Sequence, residues 1–255
     1  MSKCDITSAH GNNNSYCGGC RIFFDKEGTL SYNTKKGRIF KLSGVIFDLD
    51  GTLLDSLHMW HDVDQRVLES FGMKPTNDLM KTLQPLTIKK SAEYLHTVLG
   101  VGSPPGDIIA EIQRLIEPHY YNSLPLKSGV PGFLELLKQQ HVSMCIATAT
   151  SKRLTEASLE RTGVLSYFKT VVSCADSGTS KMQPDVYYQA LDSIGTTLNG
   201  TLVFEDAYLA VKTLYEAGFS SVAVYDESCG DSWEQIKEIA DIHINSFDCL
   251  MQGLA

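Results

Sequence analysis

The stretch Gly44-Val-Ile-Phe-Asp48-Leu-Asp50-Gly51-Thr52-Leu-Leu-Asp55-Ser56 joins an apolar run to two aspartates one residue apart, followed at once by glycine and threonine. Val45-Ile46-Phe47 is β-branched and aromatic without alternation, the pattern of a parallel strand buried on both faces. Carboxylates at the carboxyl end of such a strand sit where open α/β sheets bind their ligands. Two carboxylates this close are costly unless a cation lies between them or one holds a proton. The cost points to chemistry rather than architecture.

Outward from this stretch, the C-terminal side reads first as helices and then as strand–helix alternation. Residues 57–72 predict a helix with Leu57, Trp60, Val63, Val67, Leu68 and Phe71 on one face. Further helices are predicted over 78–84, 87–99 and 105–119. Helix 131–140 then leads into strand 142–147, helix 152–162, strand 170–173, helix 184–194, strand 201–204, helix 207–217, strand 221–224 and helix 232–239. A short run at Ile242-His-Ile244 closes the series. Alternation at this spacing implies right-handed crossovers and a parallel sheet, which makes residues 57–125 a helical insertion. The expected organisation is an N-terminal extension over 1–42, a Rossmann-like α/β core from 43–56 and 126–255, and a helical cap between them. In the extension, residues 1–20 are polar and rich in Asn, Gly and Ser. The runs Arg21–Phe24 and Arg38–Leu42 predict a small hairpin.

A chain of 255 residues can bury a substantial core. The net charge of −8 disfavours nonspecific nucleic-acid binding, which needs clustered Lys and Arg. No apolar run approaches a membrane span, and the first residues lack the apolar centre of a signal peptide, so the expectation is a cytoplasmic protein. A monomer is the default. Seven cysteines, an odd count and scattered, suit reduced thiols better than a disulfide framework. Cys17-Gly-Gly-Cys20, with Cys4 and His10 upstream, has no second Cys-x-x-Cys at zinc-ribbon spacing, which leaves a reduced tail as the default over a metal or redox site.

Four polar sites recur at predicted strand ends: Asp48/Asp50, then Thr148 with Ala149 and Thr150 behind it, then Lys181, then Glu205-Asp206. In a parallel sheet these loops converge on one edge. The inventory suits phosphoryl transfer through a covalent aspartyl phosphate. A carboxylate attacking a phosphoryl group meets like-charge repulsion, so a hard cation is needed. Mg²⁺ prefers oxygen ligands and fits Asp48, Asp206 and a backbone carbonyl near Asp50. Lys181 and Thr148 supply donors where charge accumulates on the phosphoryl oxygens, with Thr52 near the same loop. Asp50 can protonate the leaving oxygen and then activate water.

With these motifs in hand, the chain resembles the haloacid dehalogenase superfamily, in the branch with an α-helical cap after the first motif, over roughly residues 43–250. The resemblance rests on Asp48-Leu-Asp50-Gly51-Thr52, Thr148, Lys181 and Glu205-Asp206. It implies Asp48 as nucleophile, Asp50 as general acid/base, Thr148 as phosphate binder, Lys181 as the third-motif lysine and Asp206 as magnesium ligand beside Glu205. It also implies strand order 5-4-1-2-3 and a mobile cap. The expected activity is Mg²⁺-dependent hydrolysis of a small phosphorylated metabolite such as a sugar phosphate. The alternatives are a β-phosphoglucomutase-like hexose-phosphate mutase and a non-catalytic metabolite-binding protein.

There are departures from the family pattern. Met182 replaces the first proline of the usual Lys-Pro-x-Pro-Asp, and Pro85 stands where a cap substrate loop often has glycine. Trp60 falls where mutases carry a histidine, which argues against mutase activity; His58 and His61 are expected on other faces of the helix. Trp60 is expected mainly in packing, and Lys89 and Lys90 on a solvated face. Thr150 and Asp55 could each cap the helix that follows them or serve the site. Phe24-Asp25-Lys-Glu-Gly28-Thr-Leu30 echoes the first motif but lacks its second aspartate and reads as a hairpin turn.

Overall fold

The computed structural model describes residues 22–83, 86–230 and 232–254; the expectations for Cys4, His10, Cys17, Cys20 and Pro85 lie outside these. Strands β1 (Ile22–Phe24), β2 (Leu30–Asn33) and β3 (Ile39–Lys41) form an antiparallel sheet in that order, one strand more than the expected hairpin. The additional strand is Leu30-Ser31-Tyr32-Asn33, whose polar letters conceal a fully buried Tyr32 packed on Phe40. The Asp25 turn is local, since its carboxylate accepts from the backbone N–H groups of Glu27 and Thr29, both at 2.9 Å.

The chain then enters β4 (Gly44–Phe47), buried along its whole length. Helices α1 (Leu57–Ser70), α2 (Asn77–Leu83), α3 (Ile88–Thr97) and α4 (Pro105–Asn122) follow, and α5 (Val130–Gln139) leads back into the sheet. The remainder alternates: β5 (Ser143–Thr148), α6 (Lys152–Arg161), β6 (Val171–Ser173), α7 (Cys174–Ser177), α8 (Asp185–Ile194), β7 (Thr201–Glu205), α9 (Tyr208–Ala217), β8 (Ser220–Val224), α10 (Ser232–Ile239), β9 (Ile242–Ile244) and α11 (Phe247–Leu254). Neither α7 nor α11 has a predicted counterpart. The first is a single turn capped by Ser173, and the second is short, held by the fully buried Phe247 and Leu250.

The large sheet is parallel, in the order β6-β5-β4-β7-β8-β9. It contains the expected 5-4-1-2-3 arrangement, with β9 added beyond β8 at the edge. β4 is central and covered on both faces, which is why its sequence shows no alternation. Phe47 stands opposite Ile146 and Phe204 in register, so Asp48, Thr148 and Asp206 all emerge at one edge. Beneath them, Phe47 packs against Phe133, Phe168, Phe204 and Phe247, with centroids 4.9 to 6.5 Å apart. Each ring contributes roughly 1.5–3 kcal/mol of burial, which stiffens the floor of the site.

Helix α4 runs three residues past the predicted end at 119, and that extra turn carries Tyr120. Its inner face is Ile108, Ile112, Leu115, Ile116 and Tyr120, all buried at helical spacing. The chain leaves and re-enters the core side by side. Asp55 N–H donates to the Pro125 carbonyl at 3.0 Å, and Lys127 N–H to the Leu53 carbonyl at 2.8 Å. Among the described residues, no helix is long and apolar enough to cross a membrane.

Candidate active site

Asp48 leaves the end of β4 almost fully buried, and Lys181 reaches it from the loop before α8. The same ammonium lies 2.6 Å from Glu205 Oε1, so one cation bridges two carboxyl groups. Tyr187, in the first turn of α8, donates its hydroxyl to that same Oε1 at 2.8 Å. Asp206 completes the group, and the oxygens of Asp48, Glu205 and Asp206 all lie within 4.8 Å of one another. Thr52 donates to Asp206 Oδ1 at 3.0 Å.

Gly51 explains its own place in the motif. Its φ of 78° lies in the left-handed region, and a Cβ there would come within 2.5 Å of Asp206 Oδ2. The chain can turn this tightly against the acid pair only without a side chain.

Asp50 is held differently. Ser56 and Tyr120 donate their hydroxyls to Oδ1, each at 2.7 Å, and Thr150 donates to Oδ2 at 2.7 Å. Both of its oxygens are fixed, and its carboxylate lies outside the three-carboxyl group. That arrangement leaves the backbone carbonyl near Asp50, not its carboxylate, as the group expected toward a metal. The Tyr120 hydroxyl also accepts from Trp60 Nε1 at 3.0 Å, which ties α1 and α4 to the sheet edge.

The electrostatics are unbalanced. Burial, together with neighbouring Glu205 and Asp206, holds the Asp48 carboxyl well above the usual carboxylate range even with Lys181 opposing. Asp206 is pushed up to about 7 by burial first and by Glu205 next. Lys181 moves the other way: burial works against its charge, but Asp48 and Glu205 outweigh it and hold it above its ordinary value. Burial also raises Tyr120, aided by Asp50, so it remains a neutral hydroxyl. Glu205 Oε2 is buried with no hydrogen-bond partner. Three buried carboxyl groups, one ammonium and an orphaned oxygen make an all-oxygen donor set short of positive charge. That set fits a hard divalent cation such as Mg²⁺.

The predicted site residues distribute as follows. Asp48, Asp50, Thr148, Ala149, Lys181 and Asp206 line one cavity of about 360 Å³. Glu205 lies behind them, fully buried. Thr52, expected among the phosphate contacts, is fully buried and absent from the cavity wall; its hydroxyl serves Asp206 instead. Thr150 holds Asp50, whereas Ser151 stands at the N-cap of α6. Asp55 is exposed beside His58 at 3.6 Å and neither caps α1 nor touches the cavity. His61 corrects the expectation that it faces elsewhere, because it reaches the cavity wall. Lys89 and Lys90 are exposed, as expected.

Sequence reasoning missed Tyr120, Ser56 and Tyr187. Tyr120 sits in an apolar helical face where nothing marks a hydroxyl as functional. Ser56 carried a local signal, a hydroxyl six residues after Asp50 at the close of the same turn.

With this geometry in view, residues 45–224 match the sequence profile described as haloacid dehalogenase-like hydrolase. The chain belongs to that family. Among curated relatives of this hydrolase, a phosphorylated carbohydrates phosphatase of Thermotoga maritima is 24% identical over 71% of this chain and 84% of its own. A fructose-1-phosphate phosphatase of Escherichia coli is 25% identical over 72% and 97% respectively. Among solved structures, a β-phosphoglucomutase of Clostridium difficile superposes with a TM-score of 0.69 at 14% identity, covering 83% of this chain and 96% of that one. CbbY of Rhodobacter sphaeroides, in complex with xylulose-(1,5)bisphosphate, gives 0.68 at 19% identity, covering 84% and 99%. These likenesses establish the fold.

Proposed function

We propose that this hydrolase is a Mg²⁺-dependent phosphatase of a small phosphomonoester, working through a phosphorylated Asp48. The observation that carries the reading is Asp48 itself: a buried carboxyl at the cavity floor, bridged through Lys181 to Glu205 and grouped with Asp206. In this reading residues 43–56 and 126–255 form the core, and residues 57–125 close over the site as a cap.

Asp48 Oδ attacks phosphorus as the P–O bond to the leaving group breaks, and Asp50 gives that oxygen its proton. Asp50 then takes a proton from the water that cleaves the acyl phosphate, which restores Asp48. The hydroxyls of Ser56, Tyr120 and Thr150 keep Asp50 aimed through both steps. Lys181, Thr148 and the backbone at Ala149 hold the phosphoryl oxygens. Asp48, Asp206 and the Asp50 carbonyl, with Glu205 behind them, would hold Mg²⁺, whose charge would offset the repulsion between nucleophile and phosphoryl group.

Asp48→Asn should abolish phosphate release from p-nitrophenyl phosphate, by at least about 10³-fold, while leaving circular dichroism unchanged. Undiminished turnover would refute the assignment. The hexose-phosphate mutase alternative finds no support at Trp60, an indole whose N–H is committed to Tyr120 and cannot exchange protons as an imidazole does. His61 on the cavity wall is the one observation in its favour. Glucose 1-phosphate with a bisphosphate activator separates the readings: free phosphate supports hydrolysis, and glucose 6-phosphate supports the mutase.

A further inference from the structure

The cavity above Asp48 has two unlike ends. Its charged groups, Asp48, Asp50, Lys181 and Asp206, all come from the sheet edge. The wall opposite, supplied by helices α1 to α4 and the turn after α2, is Leu57, Trp60, Met80, Leu83, Ile88 and Ile112. No charged side chain from this helical segment lines the cavity among the described residues, and Lys89 and Lys90 are exposed elsewhere. Its polar contribution is three side chains on three different helices: His61, Asn77 and Ser91. His61 and Asn77 are exposed at the rim.

A sugar carries a hydroxyl on nearly every carbon, and each one buried without a partner carries a desolvation penalty. Sites that select polyols meet those hydroxyls with converging polar groups. This wall offers few. Leu57, Trp60, Met80 and Ile88 are only half-buried: Trp60, Met80 and Ile88 pack one side on the core, and all four turn remaining apolar surface to the cavity. Such surface favours an occupant that removes it from water. At about 360 Å³ the cavity is large enough for a small organic group beside a phosphoryl group.

We propose that the alcohol esterified to phosphate in this protein's substrate is apolar, an alkyl or aryl group rather than a polyol. The inference rests on the phosphatase reading and narrows it.

The test uses the full chain with Mg²⁺ and compares ethyl, butyl, hexyl and phenyl phosphate with glucose 6-phosphate and fructose 1-phosphate. The expected result is kcat/KM at least about tenfold higher for hexyl and phenyl phosphate than for either sugar phosphate. Along the alkyl series it should rise up to about fourfold per methylene until the cavity is filled. Met80→Gln, an unbranched change on a half-buried wall residue, should compress the hexyl-to-ethyl ratio toward one. Sugar phosphates turned over as well as hexyl phosphate, or a flat alkyl series, would overturn the proposal and leave the phosphatase reading standing.

If neither class releases phosphate, the phosphatase reading falls. Calorimetry on the same protein then decides the narrower question. Hexylphosphonate binding with a negative heat-capacity change, and at least tenfold tighter than methylphosphonate, supports an apolar occupant. Equal affinity for the two phosphonates, or no binding, overturns it.

Discussion

The sheet edge and the helical wall enclose the same cavity by different means. At the sheet edge the polar groups are tied together: Lys181 bridges Asp48 and Glu205, Thr52 holds Asp206, and three hydroxyls hold Asp50. Glu205 Oε2 is buried there without a hydrogen-bond partner. The helical wall presents half-buried apolar surface and sends one hydroxyl, that of Tyr120, across to the reacting side. Rigid, over-charged groups suit a transition state whose charge is the same for every phosphoester. A soft, nearly featureless wall suits discrimination among what is attached to it. In the proposed reading, chemistry and selection fall to separate stretches of chain.

The sharpest way to break this division is to unbalance the charged side. Lys181→Met removes the only ammonium among three buried carboxyl groups. It should eliminate turnover and destabilise the metal-free protein by about 3–5 kcal/mol, read by urea denaturation. Millimolar Mg²⁺ should restore part of the stability and none of the turnover. A variant as stable as the parent without metal would mean that the carboxyl group is not strained.

Next in size is a pH effect on the metal-free protein. Asp206, pushed up to about 7, holds a proton in the folded state that the unfolded chain releases near its ordinary value. The folded form therefore binds more protons between about pH 4 and 7, and stability must fall as pH rises through that window. One extra proton corresponds to about 1.4 kcal/mol per pH unit. Denaturation midpoints measured from pH 5 to 8 with EDTA should decline, and saturating Mg²⁺ should flatten the decline. A midpoint that rises across this range would contradict the assignment.

Tyr120→Phe probes the hydroxyl that the helical side sends to Asp50. It leaves Trp60 Nε1 without its partner and Asp50 Oδ1 with a single hydroxyl donor. We expect a loss of about 1–3 kcal/mol in stability and a fall in kcat of roughly 10- to 100-fold with KM little changed. A change in KM alone would make Tyr120 a part of the wall rather than of the proton-transfer group. The smallest effect is expected from Lys89→Ala with Lys90→Ala, both exposed and off the cavity. Stability should stay within about 0.5 kcal/mol and relative substrate preference within about twofold. A larger shift in preference would bring charge back into substrate selection.

The charged side was legible in the sequence because each of its parts follows an apolar strand. Asp48, Thr148 and Glu205-Asp206 sit where a run of buried residues stops, and parallel register then aligns them. Lys181 is further from its strand, and its position came from the motif around it. The link to the helices was not legible. Tyr120 lies 70 residues from Asp50 on a face that periodicity assigns to packing, and only the tertiary arrangement gives its hydroxyl a partner. Thr52 follows the aspartate motif and is expected among the phosphate contacts, but the turn at Gly51 sends it toward Asp206. His61 was turned away by helical geometry alone, which ignores how wide the opening is. The additional strand β2 of the small sheet hides behind Ser31 and Asn33, since burial of Tyr32 depends on tertiary partners that composition does not announce.

The three hydroxyls on Asp50 come from Ser56 before the helices, Tyr120 at their end and Thr150 after the next strand. One carboxylate thereby records whether segments nearly a hundred positions apart have met. Transplanting a helical block from another hydrolase onto this sheet would change selectivity freely at most positions. It would have to reproduce a hydroxyl at the Tyr120 position, or the graft would deliver substrate to an acid with slack aim.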